Sequence, residues 1–119
     1  MASKKYRIDM KILKAIAIVE SGMDQRKVNR SGGKGYSVGV MQVYSSWFPV
    51  LRREGFSVTR VKRDACYNVL VGAWILRRHI DEVGGNVWRG VGRYNAKSRW
   101  KQKVYVRKVK LALRRVGRC

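Results

Sequence analysis

Acidic residues are scarce in this chain: seven Asp and Glu stand against 28 Lys and Arg, a formal net charge of +21 over 119 residues. A surface so short of negative charge selects an anionic partner, and nucleic acid, anionic lipid and anionic cell-wall polymer all qualify. Histidine is nearly missing too, with His79 alone, and the two cysteines, Cys66 and Cys119, lie far apart. That excludes a disulfide framework and a structural zinc site of familiar spacing, so no metal and no cofactor are expected. No stretch approaches the roughly 20 apolar residues that span a bilayer. The segment Met10 to Glu20 is broken by Lys11 and Lys14, which removes any signal-peptide core, so an exported protein would be seen here in its mature form.

What is present is a foldable chain. Hydrophobic residues make up 45% of it and recur with helical periodicity. The length fits one domain over residues 1–119. Asp9 is placed to cap a helix that stops at Gly22, and Asp64 to cap the longest helix, about 65–83, with Cys66, Val69, Leu70, Ala73, Leu76, Ile80 and Val83 as its inward stripe. Ser45 or Ser46 would cap a brief helix with Pro49 in its first turn. Asn86 starts another, with Val87, Val91 and Tyr94 on one face, and a basic C-terminal helix covers about 98–116 with Tyr105, Val109, Ala112 and Val116 inward. Residues 23–45 are polar and glycine-rich, a loop or a small hairpin around 30–43. The fold class is therefore mostly α.

One carboxylate is out of place. Leu13, Ile16, Ala17 and Glu20 fall at i, i+3, i+4 and i+7, so Glu20 shares a helix face with apolar side chains. An ion-paired core residue, a boundary residue and a carboxyl held out of water would all look like this. Its place at the helix C-terminus and its desolvation both raise the pKa. A carboxyl kept protonated near neutral pH can act as a general acid, and glycoside cleavage matches that chemistry. Most glycosidases need a second carboxylate; the next acids are Asp24, Glu54 and Asp64, and only Asp24 is near, in a solvated loop by its composition.

Four blocks then occur in order: Ile16-Ala-Ile-Val-Glu-Ser-Gly22, Gly39-Val-Met-Gln-Val43, Cys66-Tyr-Asn-Val-Leu-Val-Gly-Ala-Trp-Ile-Leu76 and Val91-Gly-Arg-Tyr-Asn-Ala96. Together, over about residues 8–100, they resemble the soluble lytic transglycosylases, and among them the small enzymes that accompany type III and type IV secretion, conjugation and pilus systems. The resemblance implies a lysozyme-like α-rich domain acting on peptidoglycan glycan strands in the periplasm or cell envelope. It implies Glu20 as the catalytic acid and base, Ser21, Gly39, Met41 and Gln42 along the substrate groove, and Tyr94 and Asn95 near the acid. The family's reaction, cleavage of the β-1,4 bond from N-acetylmuramic acid to N-acetylglucosamine with a 1,6-anhydro product, uses one carboxyl twice, so a missing second acid is what the resemblance implies.

The chain departs from the family's pattern in two loops, with Gln25 where Pro is common and Lys97 where Tyr-Asn-Ala is usually followed by Gly. Many of those relatives pair an N-terminal cysteine with the one matching Cys66; here the options are a Cys66–Cys119 pair or a free, buried Cys66. A monomer is expected, with components of a secretion, conjugation or pilus machine as further partners. Rival readings are a hydrolytic lysozyme-like muramidase, a non-catalytic wall-binding scaffold and a nucleic-acid-binding module, although no zinc-finger, leucine-zipper or RNP-like block supports specific nucleic-acid binding.

Overall fold

The computed structural model describes residues 5–30 and 33–116. Helix α1, Met10–Ser21, begins where the Asp9 side chain accepts a hydrogen bond from the Lys11 N–H at 2.8 Å. It ends at Gly22, whose φ of 64° lets the Gly22 and Met23 amides turn back onto the carbonyls of Ile18 and Ala17. Strands β1 (Val28–Asn29), β2 (Ser37–Val38) and β3 (Val43–Tyr44) follow as an antiparallel sheet in that order, with Val28 opposite Val38 and Ser37 opposite Tyr44. The expected loop or hairpin is thus a three-stranded sheet; residues 31 and 32 of its glycine-rich centre lie outside the described residues.

A 3-10 turn, Ser45–Trp47, runs into α2, Phe48–Arg53, with Pro49 in the first turn as expected. Neither serine caps it. The intervening turn displaces the helix start past both, and Ser45 instead accepts the Tyr36 amide at 3.0 Å, tying off the sheet. Helix α3, Val58–Arg63, is absent from the sequence reading, because six residues are too few for a periodic signal. Its marks are local: the Ser57 hydroxyl accepts from the Arg60 amide, and Val58 and Val61 are buried.

Helix α4, Ala65–Glu82, starts on its expected Asp64 cap, which accepts from Tyr67 N–H at 3.1 Å. Its buried face differs from the expected stripe. Cys66 is exposed, Val69 and Leu70 are half-buried, and Asn68, Val71, Gly72 and Ile75 join Ala73, Leu76 and Ile80 inside. The reason is that α4 is covered on more than one side, by α3, by the sheet and by the next helix, so no single stripe describes it. Cys66 has no disulfide partner among the described residues, and Cys119 lies outside them. Helix α5, Val87–Asn95, opens on the Asn86 cap, and α6, Arg99–Val116, follows the expected bounds.

Helix α6 lies across α1 and α5, and α5 lies against α4. One core results, with Leu13 and Ile16 from α1, Met41 from the turn before β3, Leu76 and Ile80 from α4, Val91 from α5 and Val109 from α6 all fully buried. Burying each such Leu, Ile or Met side chain contributes about 1.5–3 kcal/mol. Two of the α6 residues, Tyr105 and Val109, face this core from the far end of the chain, and that crossing is what completes the site below.

Candidate active site

Glu20 sits in the last turn of α1, half-buried, where the left-handed residue Gly22 swings the chain away and leaves the side chain against α5 and α6. Its Oε2 accepts the Tyr105 hydroxyl at 2.6 Å and the Asn95 amide at a long 3.5 Å. Three helices therefore converge on one carboxyl. The Lys27 ammonium donates to the Glu20 backbone carbonyl at 2.9 Å, placing a positive charge on the negative end of α1.

Burial is the largest influence on the Glu20 carboxyl and raises its pKa above the ordinary value; the Tyr105 and Asn95 hydrogen bonds and the Lys27 charge act the other way without cancelling it. Glu20 in turn pushes up both neighbouring phenols. Tyr105 is raised far above the ordinary range by burial, by the Glu20 charge and by its hydrogen bond to Glu20, and Tyr94 is raised by burial and the same charge. Both hydroxyls therefore remain proton donors. Tyr94 spends its proton on the Met41 carbonyl at 2.8 Å rather than on Glu20.

Among the described residues no carboxylate joins the groups that shift Glu20, which are Tyr105, Asn95 and Lys27. Asp24 is half-buried in its own turn, where its Oδ1 accepts the Arg26 amide at 2.8 Å, and this hydrogen bond holds its pKa below the ordinary value. Asp24 is an ionised loop residue that closes a turn.

The residues expected along the groove fall into a separate group. Ser21 Oγ donates to the carbonyls of Ala17 and Val40 and accepts the Asp24 amide at 3.1 Å, so it joins the end of α1 to the turn at residues 39–42. Gln42 is only 8% exposed, and its amide donates to the carbonyls of Lys27 and Gly39. Met41 is wholly buried, packed where a Cβ on Gly72 would strike it. Gly39 has φ of +82°, and a Cβ there would overlap the Asn68 amide. These four build a wall at the end of α1, in which Ser21 Oγ and the Gln42 side-chain nitrogen are engaged by backbone.

Two residues were missed in the sequence. Asn68 is fully buried and holds that wall together, accepting the Met41 amide at 2.7 Å while donating to Val38 and Val61 carbonyls, each at 3.0 Å. A polar residue on the face of a long apolar helix was the available signal. Tyr105 was read only as an inward core residue, and nothing in periodicity separates a packed ring from one whose hydroxyl reaches a carboxyl 85 residues away. The two departing loops are also accounted for. Gln25 takes over the anchoring of its loop, accepting the Val40 amide at 3.0 Å and donating to the Val61 and Lys62 carbonyls. Lys97 has no left-handed φ, and Gln102 caps the carbonyls of Ala96 and Lys97.

The α-rich domain with its small three-stranded sheet has the lysozyme-like fold expected of it, and three of its helices meet at the half-buried Glu20. The chain belongs to the transglycosylase SLT domain family, whose model it matches over residues 1–112. It is similar to the X polypeptide of Escherichia coli, with 34% identity over 96 residues that cover 81% of this chain and 56% of that protein. It is also similar to Invasion protein IagB of Salmonella typhimurium, with 34% identity over 95 residues, 80% of this chain and 59% of that one. Protein IpgF of Shigella flexneri shares 35% over 104 residues, 86% of this chain and 66% of its own length. The chain therefore spans between 56% and 66% of these curated relatives. No helix among the described residues is long and apolar enough to cross a membrane.

Proposed function

We propose that the protein is a peptidoglycan lytic transglycosylase that cleaves the β-1,4 bond between N-acetylmuramic acid and N-acetylglucosamine and leaves a 1,6-anhydro end. The observation that carries the reading is Glu20: one half-buried carboxyl, raised in pKa by burial, held through one oxygen by Tyr105, with no acid acting on it among the described residues. Protonated Glu20 gives its proton to the glycosidic oxygen as the C1–O bond breaks. The substrate's own N-acetyl oxygen stabilises C1, the muramoyl O6 then attacks C1, and the O6 proton returns to the Glu20 carboxylate. Acid and base are one group, and the Tyr105 hydroxyl stabilises it in its charged half-cycle.

In this reading Tyr105 and Asn95 are positioning residues for Glu20, Tyr94 holds the wall to α5, and Ser21, Gly39, Met41 and Gln42 give the wall its shape. A periplasmic or cell-envelope site of action, on behalf of a secretion, conjugation or pilus machine, agrees with the family and with relatives such as the invasion protein.

Digestion of purified sacculi tests it. The intact protein is expected to release anhydro-muropeptides, and Glu20→Gln to lose at least about 10³-fold in rate, within the range of general acid–base effects compounded over two steps. Products ending in reducing sugars would overturn transglycosylation in favour of hydrolysis, and near-normal turnover by Glu20→Gln would overturn the role of Glu20.

A further inference from the structure

Helix α6 carries two apolar stripes, and only one is used. Tyr105, Val109 and Ala112 are buried against α1 and α5. On the outside, Trp100 is 66% exposed, Leu111 54% and Val104 41%. At ~100° per residue these three fall within about 40° of one another, so they line up along one outward ridge. Lys103, Arg107 and Arg114 flank the ridge on one side and Lys101 and Lys108 on the other, all exposed. A shallow depression ringed by cations lies beside Leu111. No acidic residue follows Glu82 to neutralise this face.

We propose that the outer face of α6 is a docking surface for an anionic phospholipid bilayer, on which the protein lies without crossing it. A solvated charge run accounts for the cations but not for a Trp, a Val and a Leu aligned between them. The interfacial zone of a bilayer accepts both: the aromatic and aliphatic side chains enter the headgroup–acyl boundary, while long Lys and Arg stems extend outward to the phosphates. The outside of a nucleic-acid duplex offers the cations phosphates but gives the ridge no apolar receiver, and a glycan strand offers sugar-ring faces that can stack on Trp100 but no apolar layer to take up Val104 and Leu111. A second copy is disfavoured because it brings a net charge of +21 against its own equal. The docking face and the acid's hydrogen-bond partner then share one helix, with Tyr105 turned inward to Glu20 on α1 and the ridge turned outward. The inference rests on this face alone and stands apart from the catalytic reading.

Co-sedimentation of the full chain with vesicles tests the proposal. Vesicles of phosphatidylcholine with one quarter phosphatidylglycerol are expected to pellet the protein at about 0.15 M salt, and pure phosphatidylcholine to leave it in solution. Trp100→Ser with Leu111→Ser keeps every charge and is expected to weaken binding at least about tenfold, with an unchanged thermal melt because both side chains are exposed. Should that pair unfold, Trp100→Ser alone carries the same test. Arg107→Glu with Lys103→Glu is expected to weaken it as much. Failure to bind the anionic vesicles overturns the proposal. So does unchanged vesicle binding by the Trp100 and Leu111 variant, or stronger retention of the protein by duplex DNA than by those vesicles.

Discussion

The wall at residues 39–43 and the acid it borders are built on opposite principles. In the wall, the polar side chains of Ser21, Gln25, Gln42 and Asn68 all bond backbone groups, and Asn68 makes three such bonds in full burial. At the acid, a carboxyl is desolvated yet receives one short and one long hydrogen bond, both on Oε2, among the described residues. The wall maximises satisfaction and therefore stability; the acid gives some of it up, which in the proposed reading keeps a proton available. Substitutions should therefore divide cleanly, with wall variants losing fold and acid variants losing rate.

Asn68→Ala is the strongest way to break that division. It removes the partner of the buried Met41 amide and of the Val38 carbonyl at once, leaving them without solvent to replace it. A loss of roughly 3 kcal/mol is expected, since each unsatisfied buried group costs about 1–3 kcal/mol. Urea unfolding measures it, and the urea slope should be unchanged. Catalysis is expected to fall only in proportion to the fraction unfolded, so a fully folded but inactive Asn68→Ala would show that the wall takes part in chemistry.

Tyr105→Phe probes the other side with a smaller effect. The ring still packs, but the Glu20 carboxylate loses its 2.6 Å donor. Because that hydrogen bond favours the charged form, its removal raises the Glu20 pKa further. Activity that depends on protonated Glu20 falls as pH rises through this pKa, so the alkaline limb of the pH–rate profile should move to higher pH in the variant. The maximal rate should drop about tenfold, as expected for one charge-assisted hydrogen bond of about 1.5–3 kcal/mol expressed in part. A lowered rate with an unmoved alkaline limb would reduce Tyr105 to a packing residue.

The division also explains what could be read from the chain alone. Local signals survived well: Asp9, Asp64 and Asn86 cap the helices they were expected to cap, and Gly22 ends α1. Glu20 was legible because a carboxylate on an apolar stripe contradicts its surroundings. Asn68 and Tyr105 were not, for opposite reasons. Asn68 did stand out as a polar residue on an apolar helix, but that helix is covered on several sides, so its sequence alone does not say which face buries it. Tyr105 obeys its stripe perfectly, and its hydroxyl matters only because α6 crosses α1, a fact of tertiary structure. Ser45 and Ser46 misled for a third reason: a helix cap and a strand-end hydrogen bond call for the same side chain.

The smallest effect is also the most direct test that the acid is held at a cost. The folded pKa of Glu20 is raised above its unfolded value, so its contribution to stability is fully present below the unfolded carboxylate's pKa and is lost as pH rises through the folded one. At neutral pH the ionised or strained carboxyl therefore weighs against folding. Glu20→Gln removes the ionisation while its amide oxygen can still accept the Tyr105 hydroxyl. The variant is expected to melt a few degrees higher than the natural protein near pH 7, with the scale set by roughly 4–8 °C per kcal/mol for a domain of about this size. The gap should close as pH falls below about 4, where Glu20 is protonated in the folded and the unfolded chain alike. Calorimetry across pH 3–8 reads both limbs. A Glu20→Gln protein less stable than the natural one at pH 7 would mean that the carboxylate is a structural partner of α5 and α6, and the contrast between a satisfied wall and a strained acid would fail at its centre.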